Sequence, residues 1–583
     1  MIIPSAEPIA AKRPAWGITP GSTASLLKDA PVLLAGMALF YGLLSFARSS
    51  VGPVTAHAEI DLSPLALPRY ALFSLLRILA AYLLSLLFTL VYGYIAAYNR
   101  RAERFMIPLL DTMQSIPVLS FLPGVMASMV ALFPTRQLGV ELGSVILIFT
   151  GQVWNMTFSF YSSLKSIPQE MREAAEVYRL SWWQRFHQLE LPYAAIGLIW
   201  NSMMSVAGGW FFLMACEMFV LGNRDFRLPG LGSYLQTAAN HGNTRAIGLG
   251  LFVMIGVIVL VDRVVWRPII AWAERFKFEQ VEAAEAPHSW VLDLLRKSKL
   301  LAFARGATVL PAREALDLHF AAARVSAAGR SPSPARRWMG RLLGFVALAA
   351  IAYAVVRMLM TAGSVSRSDL HTILLGAGAT FLRVEFVLLV AALWTIPVGT
   401  IIGLHPRLSA IAQPIAQVAA SVPATALFPI ILLLLIRAGG GMGIAALFLL
   451  LLGTQWYILF NVIAGATAIP TDLKEVCNVY QFSRMERWRK LLLPGIFPYL
   501  VTGFVTASGG AWNASIVAEY FHFQGQTMST VGLGAVISQA TDRGNMPMLV
   551  AATLVMAGIV VTINRLLWRR LYTLASTRFK LES

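Results

Sequence analysis

Among the charged residues inside long apolar segments of this sequence, four form two matching sets. Arg77 and Glu217 make one set, and Arg383 and Glu519 occupy the equivalent positions later in the chain. Ionised side chains are costly inside a bilayer and usually pair with one another. Glu217 lies about 37 Å of helix beyond Pro192, near the outer end of its segment. We therefore predict that each Arg pairs with its Glu near the outer face, either as a gate that opens and closes or as a static brace.

Sequence patterns for catalysis are missing from the chain. It contains no G-x-x-x-x-G-K-[ST] phosphate-binding loop, no H-E-x-x-H motif and no nucleophile elbow. Its eight histidines are scattered, and Cys216 and Cys477 lack the spacing of a metal site. The sequence therefore predicts no catalytic residues, no metal site and no cofactor bound by this chain.

The composition indicates a membrane protein. Of 583 residues, 57% are hydrophobic and 13% are charged, which is too apolar for a soluble protein of this size. The net charge of +18 would suit a nucleic-acid partner. The Lys and Arg residues, however, cluster in short loops between apolar runs, as the positive-inside pattern of membrane proteins requires. We predict a bilayer rather than nucleic acid as the partner, with both termini in the cytoplasm.

About twelve apolar runs are long enough to span a bilayer, which needs about 20 residues. The runs lie near 31–47, 70–98, 106–132, 139–161, 193–221, 246–266, 342–361, 373–404, 410–436, 440–465, 495–521 and 546–566. They predict a cytoplasmic tail over 1–30, a first half over 31–271, a cytoplasmic linker over 272–338 and a second half over 339–583. The linker is either a tether or, around 288–306, a helix lying on the inner leaflet.

The two halves repeat one another. Arg77 and Pro117 recur at an offset of 306, and Trp210 and Glu217 recur at an offset of 302. Each half has about six spans, an even number, so the repeats share one topology. The sequence therefore predicts an all-α polytopic membrane fold of two parallel six-helix repeats.

Five residues are candidates for lining a path between the halves. Pro117 and Pro423 interrupt apolar runs and should break their helices. Trp210, Trp512 and Asn513 lie deep in later spans, where packing between helices is the alternative role.

A polar stretch occurs once in each half, as EAAEVYRLSWWQRFHQLELP (173–192) and EVCNVYQFSRMERWRKLLLP (475–494). Both copies mix charges with large apolar side chains. A loop exposes such groups where a partner covers them.

This stretch resembles the cytoplasmic EAA loop of binding-protein-dependent ABC importer permeases. SIPVLSFLP and SVPATALFP, with the later GLG sequences, resemble the nitrate, sulfonate and taurine branch. The resemblance implies the type I importer fold in a bacterial inner membrane. It also implies two ATP-binding subunits that hold ATP and Mg, a periplasmic substrate-binding protein, and no partner permease chain because the halves are fused. The implied solute is a small anion: nitrate, bicarbonate, cyanate, taurine or another sulfonate.

The resemblance assigns coupling to the ATPase to residues in both stretches. They are Glu173, Ala174, Ala175, Tyr178, Leu180, Trp183, Glu475, Val476, Cys477, Tyr480, Phe482 and Met485. The family usually has a glycine at the bend, where this chain has Arg179 and Gln481, so the bend must form without it.

Other functions remain open at this point. An importer of amino acids or peptides would share the loops, because a separate protein captures the solute. A secondary transporter also has twelve spans in two halves, but it would place charges near the midplane and need no docking loops. A membrane-embedded enzyme would need clustered catalytic residues.

Overall fold

A computed structural model describes residues 59–221, 224–273, 289–327, 334–523 and 526–578, with isolated positions before residue 59 and Phe276. This part of the chain is almost entirely helical, apart from two short antiparallel hairpins. The predicted span at 31–47 and the tail at 1–30 lie mostly or wholly outside the described residues.

Within the described residues from 59 to 273, the first half has ten α-helices and one hairpin. They are α1 (Leu67–Tyr98), α2 (Arg100–Ser115), α3 (Leu122–Leu132), α4 (Leu138–Lys165), α5 (Gln169–Val177), α6 (Trp182–Arg185), α7 (Leu191–Glu217), β1 (Val220–Leu221), β2 (Arg224–Asp225), α8 (Leu231–Asn240), α9 (Thr244–Val261) and α10 (Arg267–Ala273).

The described residues of the predicted linker contain three α-helices, and after α14 the second half repeats the order of elements described for the first. The linker helices are α11 (Trp290–Lys297), α12 (Lys299–Ala304) and α13 (Leu310–Ala327). The rest are α14 (Pro334–Gly363), α15 (Arg367–Leu404), α16 (Pro406–Ser421), α17 (Ala424–Arg437), α18 (Met442–Ala468), α19 (Thr471–Val479), α20 (Arg484–Arg487), α21 (Leu493–Ala518), β3 (Tyr520–Phe523), β4 (Gln526–Ser529), α22 (Leu533–Asp542), α23 (Met546–Ile563) and α24 (Arg569–Arg578).

Sequence signals mark the starts or junctions of several helices. Pro192 and Pro494 lie at the junctions where a π-turn passes into α7 and α21. The Asn99 side chain accepts hydrogen bonds from the backbone N–H groups of Arg101 and Ala102 and so begins α2.

Eight helices in the described part are long and apolar enough to cross a membrane, and two bent pairs raise the number to ten. The pairs turn by 85° between α2 and α3 and by 81° between α16 and α17. Pro117 and Pro423 lie at these turns, which confirms the predicted breaks. Of the other predicted runs, 342–361 falls within α14.

Each half is built around three long helices that pack in chain order. They are α1, α4 and α7 in the first half and α15, α18 and α21 in the second. The halves meet where α16 and α17 contact α7, and where α21 and α23 contact the segment Val118–Phe121. The broken span of each half thus packs on the other half. The predicted all-α polytopic fold of two repeats is confirmed.

Candidate functional sites

Arg77 lies at the centre of a fully buried ionic cluster. Its Nε and Nη2 donate to the two carboxylate oxygens of Glu141, over 2.6 and 2.7 Å. Its Nη1 donates to Glu217 Oε1 over 2.7 Å and to the Pro229 carbonyl over 2.9 Å. One guanidinium therefore holds two carboxylates away from water, and each is hydrogen-bonded as a buried charge must be.

The second carboxylate of this cluster is also fixed by the loop after the hairpin. Glu217 accepts from the Ser74 hydroxyl and from the Gly232 N–H, both over 2.7 Å. A Cβ on Gly230 would lie 2.2 Å from the Glu217 carboxylate. The GLG sequence is therefore needed here because its backbone approaches the carboxylate closely.

The second half has an equivalent Arg–Glu pair but lacks an equivalent of the second carboxylate, Glu141. Arg383 Nη1 donates to Glu519, which also accepts from the Thr380 hydroxyl over 2.7 Å and from the Gly534 N–H over 2.8 Å. The position that corresponds to Glu141 is Gly443. Both predicted Arg–Glu pairs are therefore present, and their opening as a gate stays a prediction. Glu141 escaped the sequence analysis, although comparing the repeats at 141 and 443 would have exposed the difference.

A central cavity of about 150 Å³ lies between the halves. It is lined by α7, α18, α21 and the break between α16 and α17. Trp210, Pro423 and Asn513 line it, as the sequence analysis proposed. Trp512 is fully buried in the hydrophobic core, so core packing, the alternative role, describes its position.

A second cavity of about 160 Å³ lies towards the hairpins. It is lined by Leu119, Tyr520 and Asp542 among others. Asp542 accepts a hydrogen bond from the Tyr520 hydroxyl. Burial and this hydrogen bond raise the pKa of Tyr520, so the phenol stays protonated at neutral pH.

A hydrogen bond between the halves connects the walls of the two cavities. The Leu119 N–H donates to Asn513 Oδ1 over 3.3 Å. Leu119 lines the cavity near the hairpins, and Asn513 lines the central cavity. This contact therefore lies where a continuous path between the cavities would have to open.

The two polar stretches fold into closely similar elements, which we call the first helical loop (169–190) and the second helical loop (471–492). In each, a short helix ends in a bend with two hydrogen bonds of the Schellman type, such as Leu180 N–H to Ala175 O over 3.0 Å. The bend residue has positive φ, 49° at Arg179 and 50° at Gln481. The family's glycine is thus replaced by side chains in the left-handed region.

Capping fixes the second part of each helical loop. The Ser181 hydroxyl accepts from the Gln184 N–H while the Gln184 side chain accepts from the Ser181 N–H, and Ser483 and Glu486 make the same box. A turn of π-helix then leads directly into α7 or α21. Each loop is therefore joined to its long helix without a flexible break.

The bend of each loop presents an apolar tip. Val177 and Tyr178 are each 78% exposed, and their counterparts Val479 and Tyr480 are similarly open. The two valines were not among the residues predicted from the sequence, although the Val-Tyr repeat could have indicated them. The other coupling candidates differ in exposure. Glu173, Ala174, Glu475, Val476 and Met485 are exposed; Leu180, Trp183 and Phe482 are partly buried; Ala175 and Cys477 are buried and face inwards.

Linker helix α13 packs on the first helical loop. The Phe320 ring lies 5.5 Å from Trp182 and 5.8 Å from Trp183, measured between ring centroids. Asp317 Oδ1 lies 3.7 Å from His187 Nε2. The second loop has Arg484 and Met485 in place of the two tryptophans. The linker therefore contacts the aromatic pair of one loop, and whether it is more than a tether stays a prediction.

The described residues contain no group of three or more His, Cys, Asp or Glu side chains placed to hold a metal ion. The ionic clusters instead combine carboxylates with arginine.

Comparison with known families gives two matches along the chain. Residues 89–269 and 395–580 each match the family described as the inner membrane component of binding-protein-dependent transport systems. Together they cover more than half of the chain, one match in each half.

Individual relatives are similar over shorter stretches. The nitrate import permease of Leptolyngbya laminosa is 31% identical over 188 residues, which are 32% of this chain and 64% of the relative. The bicarbonate transport permease of Synechococcus elongatus is 28% identical over 187 residues, with the same coverage. The taurine permease of Escherichia coli is 27% identical over 183 residues, 31% of this chain and 61% of the relative. The matches thus span less than two thirds of each relative.

Proposed function

Because the chain belongs to the family of inner membrane components of binding-protein-dependent transport systems, we propose that it is the membrane subunit of an ATP-driven importer. One observation carries the proposal: two helical loops of the same construction each present an exposed Val-Tyr tip. A pair of matched apolar tips suits two copies of one partner, and exposed apolar groups of this kind mark contact sites. The partners would be two ATP-binding subunits.

The path of coupling runs from each tip to a long helix. The first helical loop continues through its π-turn into α7, and Met203 and Trp210 of α7 line the central cavity. Movement of the loop would therefore move the cavity wall as a rigid lever. In the second half, α21 carries Asn513, whose hydrogen bond to Leu119 lies between the cavities. Closure of the partner subunits would open this contact and connect the cavities.

We propose a small anion as the solute, such as nitrate, bicarbonate, cyanate, taurine or another sulfonate. The named functions of the relatives support this class. The central cavity is lined mainly by apolar groups, with Gln417, Ser421 and Asn513 as hydrogen-bonding side chains and Asp262 as a charged one. Neutral donors would let an anion pass without trapping it. Selection would fall to a separate substrate-binding protein that docks on the hairpin side.

The remaining assignments follow from the same proposal. The chain itself would not be an enzyme, and ATP with Mg would be held and hydrolysed by the partner subunits. The fused halves would need no second permease chain. The protein would lie in a bacterial inner membrane, with both helical loops and both termini in the cytoplasm.

The test is purification of the tagged full chain from native membranes in mild detergent, with identification of the chains that co-purify. We expect an ATP-binding subunit at two copies per chain. The double variant Glu173→Arg with Glu475→Arg reverses an exposed charge on each loop and should release it. Arg570→Glu, an exposed reversal in α24, is the matched control and should retain it.

Transport then separates the alternatives. Uptake of labelled nitrate, bicarbonate, taurine, an amino acid and a dipeptide is measured in vesicles holding the co-purified complex and its binding protein. ATP-dependent uptake of nitrate, bicarbonate or taurine would support the proposal. ATP-dependent uptake of only the amino acid or the dipeptide would mean that the solute belongs to that class and is not a small anion. A chain that purifies alone and moves solute without ATP would be a secondary transporter.

A further inference from the structure

The two ionic clusters differ by one carboxylate. In the first half, Glu141 occupies the edge of the Arg77 guanidinium formed by Nε and Nη2, with bonds of 2.6 and 2.7 Å. Glu141 belongs to the first turn of α4, where the positive end of the helix also favours an anion. In the first half, the side chain of Glu141 therefore places a planar carboxylate at this edge of the guanidinium.

The same edge is open in the second half. Among the described residues, Arg383 Nε has no hydrogen-bond partner, and Nη2 reaches the Val531 carbonyl at 3.0 Å and the Thr530 hydroxyl at 3.5 Å. Gly443, in the first turn of α18, stands where Glu141 stands in the first half. A Cβ on Gly443 would meet only the Thr530 hydroxyl, at 3.6 Å. A side chain at position 443 would therefore not be crowded, and Thr530 Oγ1 is the group that lies near both Gly443 and Arg383 Nη2.

We propose that this slot, formed by Arg383, Gly443 and Thr530, binds a small planar oxyanion such as nitrate, bicarbonate or formate. The guanidinium fork would donate two parallel hydrogen bonds to two oxygens of the anion, as Arg77 does to Glu141. The Thr530 hydroxyl is placed to donate to the same ligand. The bound anion would restore the ratio of two negative groups to one arginine that the first half has permanently.

Access distinguishes the two arginines as well. The Arg77 side chain is fully buried, whereas that of Arg383 is 12% exposed. A dissolved anion can therefore reach Arg383 without taking the cluster apart. Val531 at the rim is exposed. The slot would hold an anion on the hairpin side before the anion enters the path between the two cavities. This role in transport rests on the proposed function, whereas the binding of the anion to the slot does not.

The experiment measures binding without ATP, partners or transport. Thermal unfolding of the purified full chain in lipid-free detergent is followed with increasing sodium nitrate, at ionic strength held constant with sodium chloride. We expect a saturable rise in the midpoint. Gly443→Glu should place a carboxylate in the slot and weaken the nitrate response about tenfold or more, the worth of one charge-assisted contact. Gly443→Ala, the matched control, adds a Cβ without a charge and should keep the response.

A further variant keeps the test decisive if Gly443→Glu does not fold. Thr530→Val removes the hydroxyl beside Arg383 Nη2 and should weaken the response. An unchanged nitrate response in both Gly443→Glu and Thr530→Val would overturn the proposal. Added phospholipid that raises the midpoint where nitrate does not would assign the slot to a lipid headgroup and also overturn it. Saturable nitrate binding without any transport would support the slot and contradict only the proposed function.

Discussion

Replacing Arg179 by glycine tests whether the bend of the first helical loop carries backbone strain. Arg179 has φ of 49°, a region that costs an L-residue roughly 1–2 kcal/mol because Cβ crowds the following carbonyl. Glycine removes this cost but loses roughly 0.5–1 kcal/mol more conformational entropy on folding. The net expectation is that Arg179→Gly stabilises the bend by about 0.5–1 kcal/mol, and Gln481→Gly should do the same for the second loop.

Local opening of the loop is the quantity to measure, since global unfolding of a polytopic chain would hide so small a change. Amide hydrogen exchange of α5 and the bend reports the free energy of local opening. A gain of about 0.5–1 kcal/mol slows exchange by about two- to fivefold. The amides to follow include that of Leu180, which donates to the Ala175 carbonyl in the bend.

Arg179→Ala is the control, because alanine shortens the side chain but keeps Cβ. If strain is the cause, alanine should give no such slowing. Equal slowing in the alanine and glycine variants would refute the reasoning and point to the arginine side chain. A glycine variant that exchanges faster than the parent would mean that the side chain contributes more than the strained backbone costs.

Three other predictions follow from buried or bridging contacts. Phe320→Ala should speed amide exchange over 182–190 by removing an aromatic contact worth about 0.5–1.5 kcal/mol, whereas Leu318→Ala, at an exposed position of the same helix, should not. Asn513→Ala leaves the Leu119 N–H unpaired at about 1 kcal/mol and should change uptake into vesicles; Asn513→Gln, which keeps a neutral amide acceptor, should change it less, and equal effects would contradict this. Arg77→Ala strands two buried carboxylates at about 3–5 kcal/mol and should lower the thermal midpoint more than Arg383→Ala, which strands one.

Much of the fold was predictable because the membrane restricts it. Long apolar runs must be helical in a bilayer, and prolines inside two of them mark the observed turns near Pro117 and Pro423. The Arg–Glu pairs were predictable because an ionised group in an apolar segment needs a partner of opposite charge. The internal repeat strengthened these predictions, because a feature found in one half could be checked at the equivalent position of the other half.

The missed features depend on contacts between distant parts of the chain. Glu141 sits one turn into an apolar run, where a carboxylate could equally face water, and its partner Arg77 is 64 residues away. Phe320 contacts Trp182 across more than a hundred residues, and no local pattern in the linker encodes that contact. The burial of Ala175 and Cys477 is set by how each short helix lies on its neighbours. Helical spacing alone leaves that rotation undetermined.

Fusion of the halves gives the differences between them a physical meaning. If two identical chains formed the pair, every side chain would occur on both sides of the path. Here the first half has Glu141, the tryptophan pair under Phe320 and a buried Glu190 that accepts from Tyr98 and Arg185. The second half has Gly443, Arg484 with Met485, and Leu492 at the matching positions. The first half is therefore braced at the ionic cluster and at the loop, and the second half keeps the open slot and the more exposed loop. Equal forces on the two tips would thus meet unequal resistance.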